Sequence, residues 1–320
     1  MNPKISVIIP VKNEGVQIGN CLQAVLKQTL KPYEVIVVDG HSTDDTVANA
    51  LKFPVKVLYE EQRTRAGANN VGIASAQGDY IAFTDADCIP EEDWLKNLYK
   101  EFGDGIAGVG GGIKNIGEGL WENSINLATN TFLGSANSVQ GRYFKHRRFV
   151  NSISGCNSMY RKEDIITCGG FNASLSTAED TDLNHRILNL GKLVYTPDAI
   201  ILHNHKRGLK DFRKRMYQYG YGRAKSGLWD LQVVPPVFGL LLGVSIIFYH
   251  WPFIVALLLY GSLIVGTGVV FGIRHKKPQY LISIPAVYVQ EHISYSLGIL
   301  CGSFEMIRSM LNPWQGEEIN

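Results

Sequence analysis

Asp85 and Asp87 stand two positions apart where the apolar run Tyr80-Ile-Ala-Phe-Thr84 ends. Side chains alternate along an extended segment, so residues i and i+2 share one side and both acids can grip one hard cation. Mg²⁺ or Mn²⁺ takes oxygen ligands and commonly bridges a few carboxylates to substrate phosphates. The pair therefore marks a candidate nucleotide-diphosphate site, although Asp-x-Asp alone is more often a helix cap or a solvated turn. A second acidic pair, Glu179-Asp180, opens a stretch with helical spacing at Leu183, Ile187 and Leu190. It admits two readings: acids that complement a helix N-terminus, or a general base with an acidic neighbour that tunes it.

The elements around these acids form an ordered series. Ile5–Val11 is a β-branched run, followed by Lys12-Asn13-Glu14-Gly15 and a helical stretch to about Thr29. Tyr33–Asp39 is a second apolar strand, and Ser42 with Asp45 fits a capping box for a helix through Ala50. Val55–Tyr59 precedes a helix near Ala66–Ala76, with Gly78 in the position of a C′ residue before the aspartate strand. Continuous apolar strands, each followed by a helix, predict an α/β fold with a mostly parallel sheet covered on both faces. Ligands in such sheets lie beyond the carboxyl ends of the strands. Asn13, Glu14, Asp39, Ser42, Asp85 and Asp87 all come from that edge.

The runs Val-Ile-Ile-Pro-Val-Lys-Asn-Glu, Val-Val-Asp-Gly-His-Ser-Thr-Asp and Ala-Asn-Asn-Val-Gly through Thr-Asp-Ala-Asp, with Glu179-Asp180 after them, resemble a family 2 glycosyltransferase of the GT-A fold. The resemblance covers roughly residues 4–205 and implies a UDP- or GDP-linked sugar donor, Mg²⁺ or Mn²⁺, and inversion at the anomeric carbon. By that analogy Pro10, Val11, Asn13, Glu14, Asp39, Ser42 and Ala86 surround the nucleotide, Asp85 faces the ribose or metal, and Asp87 holds the metal and diphosphate. Asp180 is then the general base and Glu179 its neighbour, with Gly155-Cys156-Asn157 beside the acceptor. His203 is expected to complete the metal site, with His205 as a weaker candidate, and Arg213, Arg215 or Arg223 to meet the pyrophosphate. Relatives often carry arginine where Asn69 stands, so Arg63 or Arg65 is expected to supply that charge.

The chain has 320 residues, 45% of them hydrophobic, and a net charge of +2. Its five cysteines show no CxxC pair or zinc-type spacing, which fits a reducing cytosol and small buried side chains. Val233–Tyr249 and Phe253–Ile273 are apolar runs close to membrane-spanning length, and they read as a transmembrane hairpin with Tyr249-His250-Trp251 at its far tip. Lys206, Arg207, Lys210, Arg213, Lys214, Arg215, Arg223 and Lys225 precede it, and Arg274, Lys276 and Lys277 follow. The positive-inside rule puts the enzyme part in the cytoplasm.

Tyr280–Phe304 carries Pro285 and Gln290-Glu291-His292, polar groups costly in lipid. It reads as a partly inserted or interfacial helix, with a third span as the rival. Gly298, Gly302 and Ser303 suit close helix packing. The expected organisation is a catalytic part over 1–205, a basic interfacial segment over 206–232, the hairpin over 233–273 and a membrane-associated tail over 274–320 of a multi-pass cell-membrane protein.

A basic aromatic run, Arg142–Phe149, suits either a solvated loop or a contact to lipid phosphate. No recognised nucleic-acid module accompanies it. The Gln-x-x-Arg-Trp signature of processive polymer synthases is lacking, which points to one sugar per encounter. A phosphate acceptor is already ionised and needs little general base, so Glu179-Asp180 favours a hydroxyl on a lipid-linked glycan. Polyprenyl- or dolichyl-phosphate glycosylation is the alternative, and a non-catalytic nucleotide-sugar-binding membrane partner is a reading of another class.

Overall fold

A computed structural model describes residues 3–136, 138–140, 142–175, 177–204, 208–227, 239, 241, 243–245, 247 and 249–311. In chain order β1 is Ile5–Val11, α1 Ile18–Leu26, β2 Glu34–Asp39, α2 Thr46–Ala50, β3 Lys56–Tyr59, α3 Arg65–Ser75 and β4 Tyr80–Thr84. Then come β5 (Cys88–Pro90), α4 (Trp94–Tyr99), β6 (Ile106–Ile116), α5 (Leu120–Thr129), α6 (Phe132–Ser135), β7 (Arg148–Val150) and β8 (Asn157–Arg161). The remainder is α7 (Lys162–Thr167), α8 (Glu179–Ile187), β9 (Lys192–Asn204), α9 (Leu209–Ser226), α10 (His250–His275) and α11 (Tyr280–Leu311). Two compact units result: Met1–Ile116 with Asn137–His205, and Gly117–Ala136 with Lys206–Asn320.

The first unit is built on one nine-stranded sheet of order β3-β2-β1-β4-β8-β6-β9-β5, with β7 also paired to β9. Period-two alternation assigns β1 to two cores at once. Ile5, Val7 and Ile9 pack with Leu22, Val25, Trp94 and Leu95 on one face, while Ile8 packs with Ile36, Val38, Phe83 and Tyr160 on the other. The α/β fold with flanking helices is present, but the sheet is mixed rather than mostly parallel. β1, β2, β3 and β4 run parallel, whereas β8 is antiparallel to β4 and β6, and β5 and β7 are antiparallel to β9. Parallel neighbours need long crossovers, usually helical. The turn of Asp85–Asp87 is too short for such a crossover, and β5 beyond it runs opposite to β4.

Two local expectations change. Ser42 does not cap α2: its hydroxyl donates to Asp39 Oδ1 (2.5 Å) and accepts from Asn13 N (2.8 Å), while Asp44 Oδ1 takes Thr46 N at 3.1 Å. Gly78 is not a left-handed C′ residue. Its amide donates to Ser6 Oγ at 2.9 Å, and a Cβ there would lie 2.7 Å from Ser6 N, so close backbone approach is what requires glycine.

In the second unit α5, α9, α10 and α11 share a core of Ile125, Ala128, Phe212, Ile264, Ile284, Val287 and Tyr288. Glycines let α9 and α11 touch: a Cβ on Gly220 would sit 2.1 Å from Tyr295 O, and one on Gly298 2.1 Å from Tyr217 O. His292 Nε2 donates to Leu133 O (3.0 Å) and Nδ1 accepts from the Tyr260 hydroxyl (2.9 Å), a pairing within the unit. Among the described residues one helix, α10, is long and apolar enough to cross a membrane. Its 26 residues rise about 39 Å at 1.5 Å each, against a hydrocarbon thickness of about 30 Å. The expected hairpin is not shown, because most of its first arm lies outside the described residues. α11 does not meet the same test of length and apolar composition, and it packs on α5, α9 and α10.

Candidate active site

The carboxyl ends of β1, β2 and β4 bring the N-terminal motifs together. Val11 lies opposite Asp39 in the β1–β2 register. Asp39 is buried, and its two carboxylate oxygens accept from the Ser42 hydroxyl and from Ser42 N (3.0 Å). Asn13, with φ 56°, accepts Thr43 N on its side chain at 2.8 Å. Glu14 N donates to Thr46 Oγ1 at 2.8 Å. These bonds hold the β1–α1 and β2–α2 loops as one ledge. Pro10 is half-buried on that edge and Ala86 is buried.

The aspartate turn is fixed from several sides. Cys88 N donates to Asp85 O (3.0 Å), Asn204 N to Asp87 O (3.0 Å), and Cys21 Sγ to Asp85 O (3.3 Å). Antiparallel pairing sets Cys88 opposite His203 and delivers His203 Nε2 to within 3.2 Å of Asp87 Oδ1. Ligand atoms of Asp85, Asp87, Cys88 and His203 lie within 4.8 Å of one another. Burial acts to lower the His203 pKa, but the hydrogen bond and charge of Asp87 outweigh it and leave it raised. Burial also raises Asp85, with Arg65 opposing.

Arg65 joins the two acidic pairs. Its guanidinium contacts Asp85 Oδ1, and its Nε lies 3.5 Å from Glu179 Oε1. Arg63 is exposed, and Asn69 is buried with its Oδ1 unpartnered. Asp180 Oδ2 accepts from Gly155 N (3.0 Å) and Gln140 Nε2 (3.1 Å), and Oδ1 accepts from Thr181 N (2.7 Å). A Cβ on Gly155 would meet Asp180 Cβ at 3.3 Å and Arg65 Nη2 at 3.5 Å, so the turn packs closely on both side chains. Asp182 pairs with Arg186 along α8 at 2.6 Å, whereas Glu179 faces Arg65 and Asp180 faces Gly155 and Gln140.

Asn157 is corrected. It is buried, accepts from Trp94 Nε1 (2.8 Å) and donates to Gly112 O (3.0 Å) and Ala199 O (2.9 Å). Its amide is spent on joining β8, β6, β9 and α4, not on an acceptor. Cys156 is buried, with Sγ 3.3 Å from Ser154 Oγ. Arg215 is half-buried on α9 of the second unit, and His205 lies outside the described residues.

The sequence profile of glycosyl transferase family 2 matches residues 6–169. A glycosyltransferase of Haloferax volcanii, AglE, is 30% identical over 260 residues, covering 78% of this chain and 83% of the relative. The chain belongs to family 2 of the glycosyltransferases. A second relative, from Methanococcus voltae, is named as a dolichyl N-acetyl-α-D-glucosaminyl phosphate 3-β-D-2,3-diacetamido-2,3-dideoxy-β-D-glucuronosyltransferase. It is 26% identical over 320 residues, covering 93% of this chain and 96% of its own. A mannosyltransferase of Pyrobaculum calidifontis, solved with GDP-Man and Mn²⁺, superposes with a TM-score of 0.59 at 18% identity, over 91% of this chain and 87% of its own. That likeness supports the GT-A-like fold.

Two residues of this family 2 enzyme escaped sequence reasoning. Gln140 sits in a loop without periodic pattern, and no spacing links it to Asp180 forty positions on. Cys88 directly follows Asp87 and reads in sequence as a small buried side chain; it meets His203 only through strand register.

Glu179 gives a pH test. Burial first, then the charge of Asp180, push its carboxyl from an ordinary 4.5 to about 7, against Arg65. The unfolded chain therefore ionises before the folded one, and the stability this group confers at low pH is lost as pH rises through about 7. Glu179→Gln escapes that loss, so its melting temperature should gain on wild type between pH 5 and pH 8, by on the order of 3 kcal/mol in stability. A gap that stays constant over that range would show Glu179 to be ionised in folded and unfolded chain alike, and paired with Arg65 throughout.

Proposed function

We propose that this glycosyltransferase moves one sugar from a UDP- or GDP-linked donor to a hydroxyl of a lipid-linked glycan at a membrane, with inversion and with a divalent cation. The observation that carries the reading is the meeting of the Asp85–Asp87–His203 cluster with the Glu179–Asp180 pair through the single side chain of Arg65. Carboxylate oxygens and an imidazole suit Mg²⁺ or Mn²⁺, and Asp85, Asp87 and His203 would hold it. When bound, the ion neutralises charge on the departing diphosphate. Arg65 adds fixed positive charge at the same place, and freed from Asp85 it can follow the charge that develops. The ledge of Pro10, Val11, Asn13, Glu14, Asp39 and Ser42 receives the nucleoside. Asp180, held by Gln140 and Gly155, takes the acceptor proton as the hydroxyl attacks the face opposite the leaving group.

The Methanococcus voltae relative, named for transfer to a lipid-linked saccharide, supports a hydroxyl over a bare polyprenyl phosphate. Membrane placement rests on α10, which exposes Ile254, Val255, Leu257, Leu258, Leu259 and Leu263, and on the basic residues flanking the apolar runs. A cytoplasmic catalytic part belongs to the same proposal.

Nucleotide release from a panel of UDP- and GDP-sugars, with Mn²⁺ and membrane extract, tests it. One donor should release nucleotide at least about tenfold faster with extract than without, the extract supplying the missing reactant. Tight donor binding with no release under any condition would favour a non-catalytic binding partner and end the proposal.

A further inference from the structure

The corner where β5, β9 and the Ser154–Asn157 turn meet holds more donors than a hard cation uses. Ligand atoms of Cys88, Cys156 and His203 lie within 4.8 Å of one another, all three buried. Asp87 Oδ1 is 3.8 Å from Cys88 Sγ and 3.2 Å from His203 Nε2. A tetrahedral ion with Zn–N and Zn–O of about 2.0 Å and Zn–S of about 2.3 Å requires an N···O edge of about 3.3 Å and an S···O edge of about 3.5 Å. The two observed edges fall within a few tenths of an ångström of those values. Directly opposed residues of an antiparallel pair share a face, so the Cys88–His203 edge is set by the register itself. Soft thiolates select Zn²⁺ and its congeners, whereas Mg²⁺ and Mn²⁺ prefer oxygen.

We infer that Cys88, Cys156, His203 and Asp87 form a second cation site of thiophilic character, which takes Zn²⁺ or Cd²⁺ and shuts the enzyme when filled. Binding displaces one proton from each thiol, and the two thiolates with Asp87 offset the charge of the ion. His203 and Asp87 are shared with the hard-cation set, so the two occupancies exclude one another. The site rests on geometry alone and stands whichever donor or acceptor the enzyme uses. What it adds to the proposed function is inhibition by soft divalent ions, which chelation reverses.

Cd²⁺ titration of the full chain under a phosphine reductant, read by the ultraviolet sulfur-to-cadmium charge-transfer band, tests the binding. One Cd²⁺ per chain should give a band of two-thiolate intensity, displaced by Zn²⁺ and untouched by Mn²⁺ at equal concentration. Cys88→Ser should halve the band and Cys301→Ser, at an exposed position, should leave it intact. Losing a supporting contact costs metal affinity about 10–100-fold, so losing a direct ligand should raise the Zn²⁺ needed for half-inhibition by roughly 10²-fold or more, relative to each variant's own uninhibited rate. A missing band, or one that follows Cys301 and persists in Cys88→Ser, overturns the site. If Cys88→Ser does not fold, Cys156→Ser carries the same comparison, and a wild-type band of one-thiolate intensity or less is itself decisive against it. Because the band needs no donor sugar, failure here is distinct from failure of the transfer reading.

Discussion

Asp180→Asn is expected to cut turnover by about 10²–10⁴-fold, the usual share of a positioned general base, while leaving donor KM within a few-fold. The geometry explains why the loss should appear in kcat. Asp180 receives four donors, Gly155 N, Gln140 Nε2, Thr181 N and, at 3.4 Å, Thr181 Oγ1, so its carboxylate is held in one orientation. Asparagine keeps the volume, removes the basicity, and turns an amide N–H₂ toward groups that already donate. Steady-state kinetics with donor and acceptor varied separately would check this. A rate that survives the substitution would point to an acceptor already ionised, a polyprenyl phosphate, and would overturn the choice of a hydroxyl.

Asp87→Ala is the second large effect, a fall in kcat/KM of roughly 10³-fold, as expected when several kcal/mol of charge stabilisation are lost at about 1.4 kcal/mol per tenfold. Asp87 is buried and lies against His203, so alanine removes a ligand and leaves the imidazole facing an empty carboxylate position. The thermal shift produced by Mn²⁺ plus donor nucleotide should disappear with it, since binding to the native state alone is what raises apparent stability. A variant that keeps a Mn²⁺-dependent rate within tenfold of wild type would remove Asp87 from the cation site.

Much of this was legible in the sequence because short-range pattern carried it. The β1, β2 and β4 runs follow one another with helices between them, and parallel strands joined by helical crossovers put their carboxyl ends at one edge. The acids at 179 and 180 were found by type and helical spacing. What escaped depended on long-range register. Asn157 reads as a polar loop residue until β8 is seen between β4 and β6, where burial commits its amide to Trp94, Gly112 and Ala199. The capping box at Ser42 fitted by spacing, yet a buried Asp39 required that hydroxyl more than the helix end did. Zinc-type cysteine spacing was absent, and still Cys88 and Cys156 meet His203, because three separate segments supply one corner.

The excursion of Gly117–Ala136 into the second unit has a practical consequence for anyone wishing to cut the enzyme free of its tail. Severing the chain after residue 205 would strand α5, baring Ile125 and Ala128, which pack against Phe212, Ile284 and Tyr288 from beyond the cut. Such a fragment would carry a sticky amphipathic flap between β6 and β7 and should clump in water. A soluble version calls for replacing that flap with a short polar bridge as well as trimming the end.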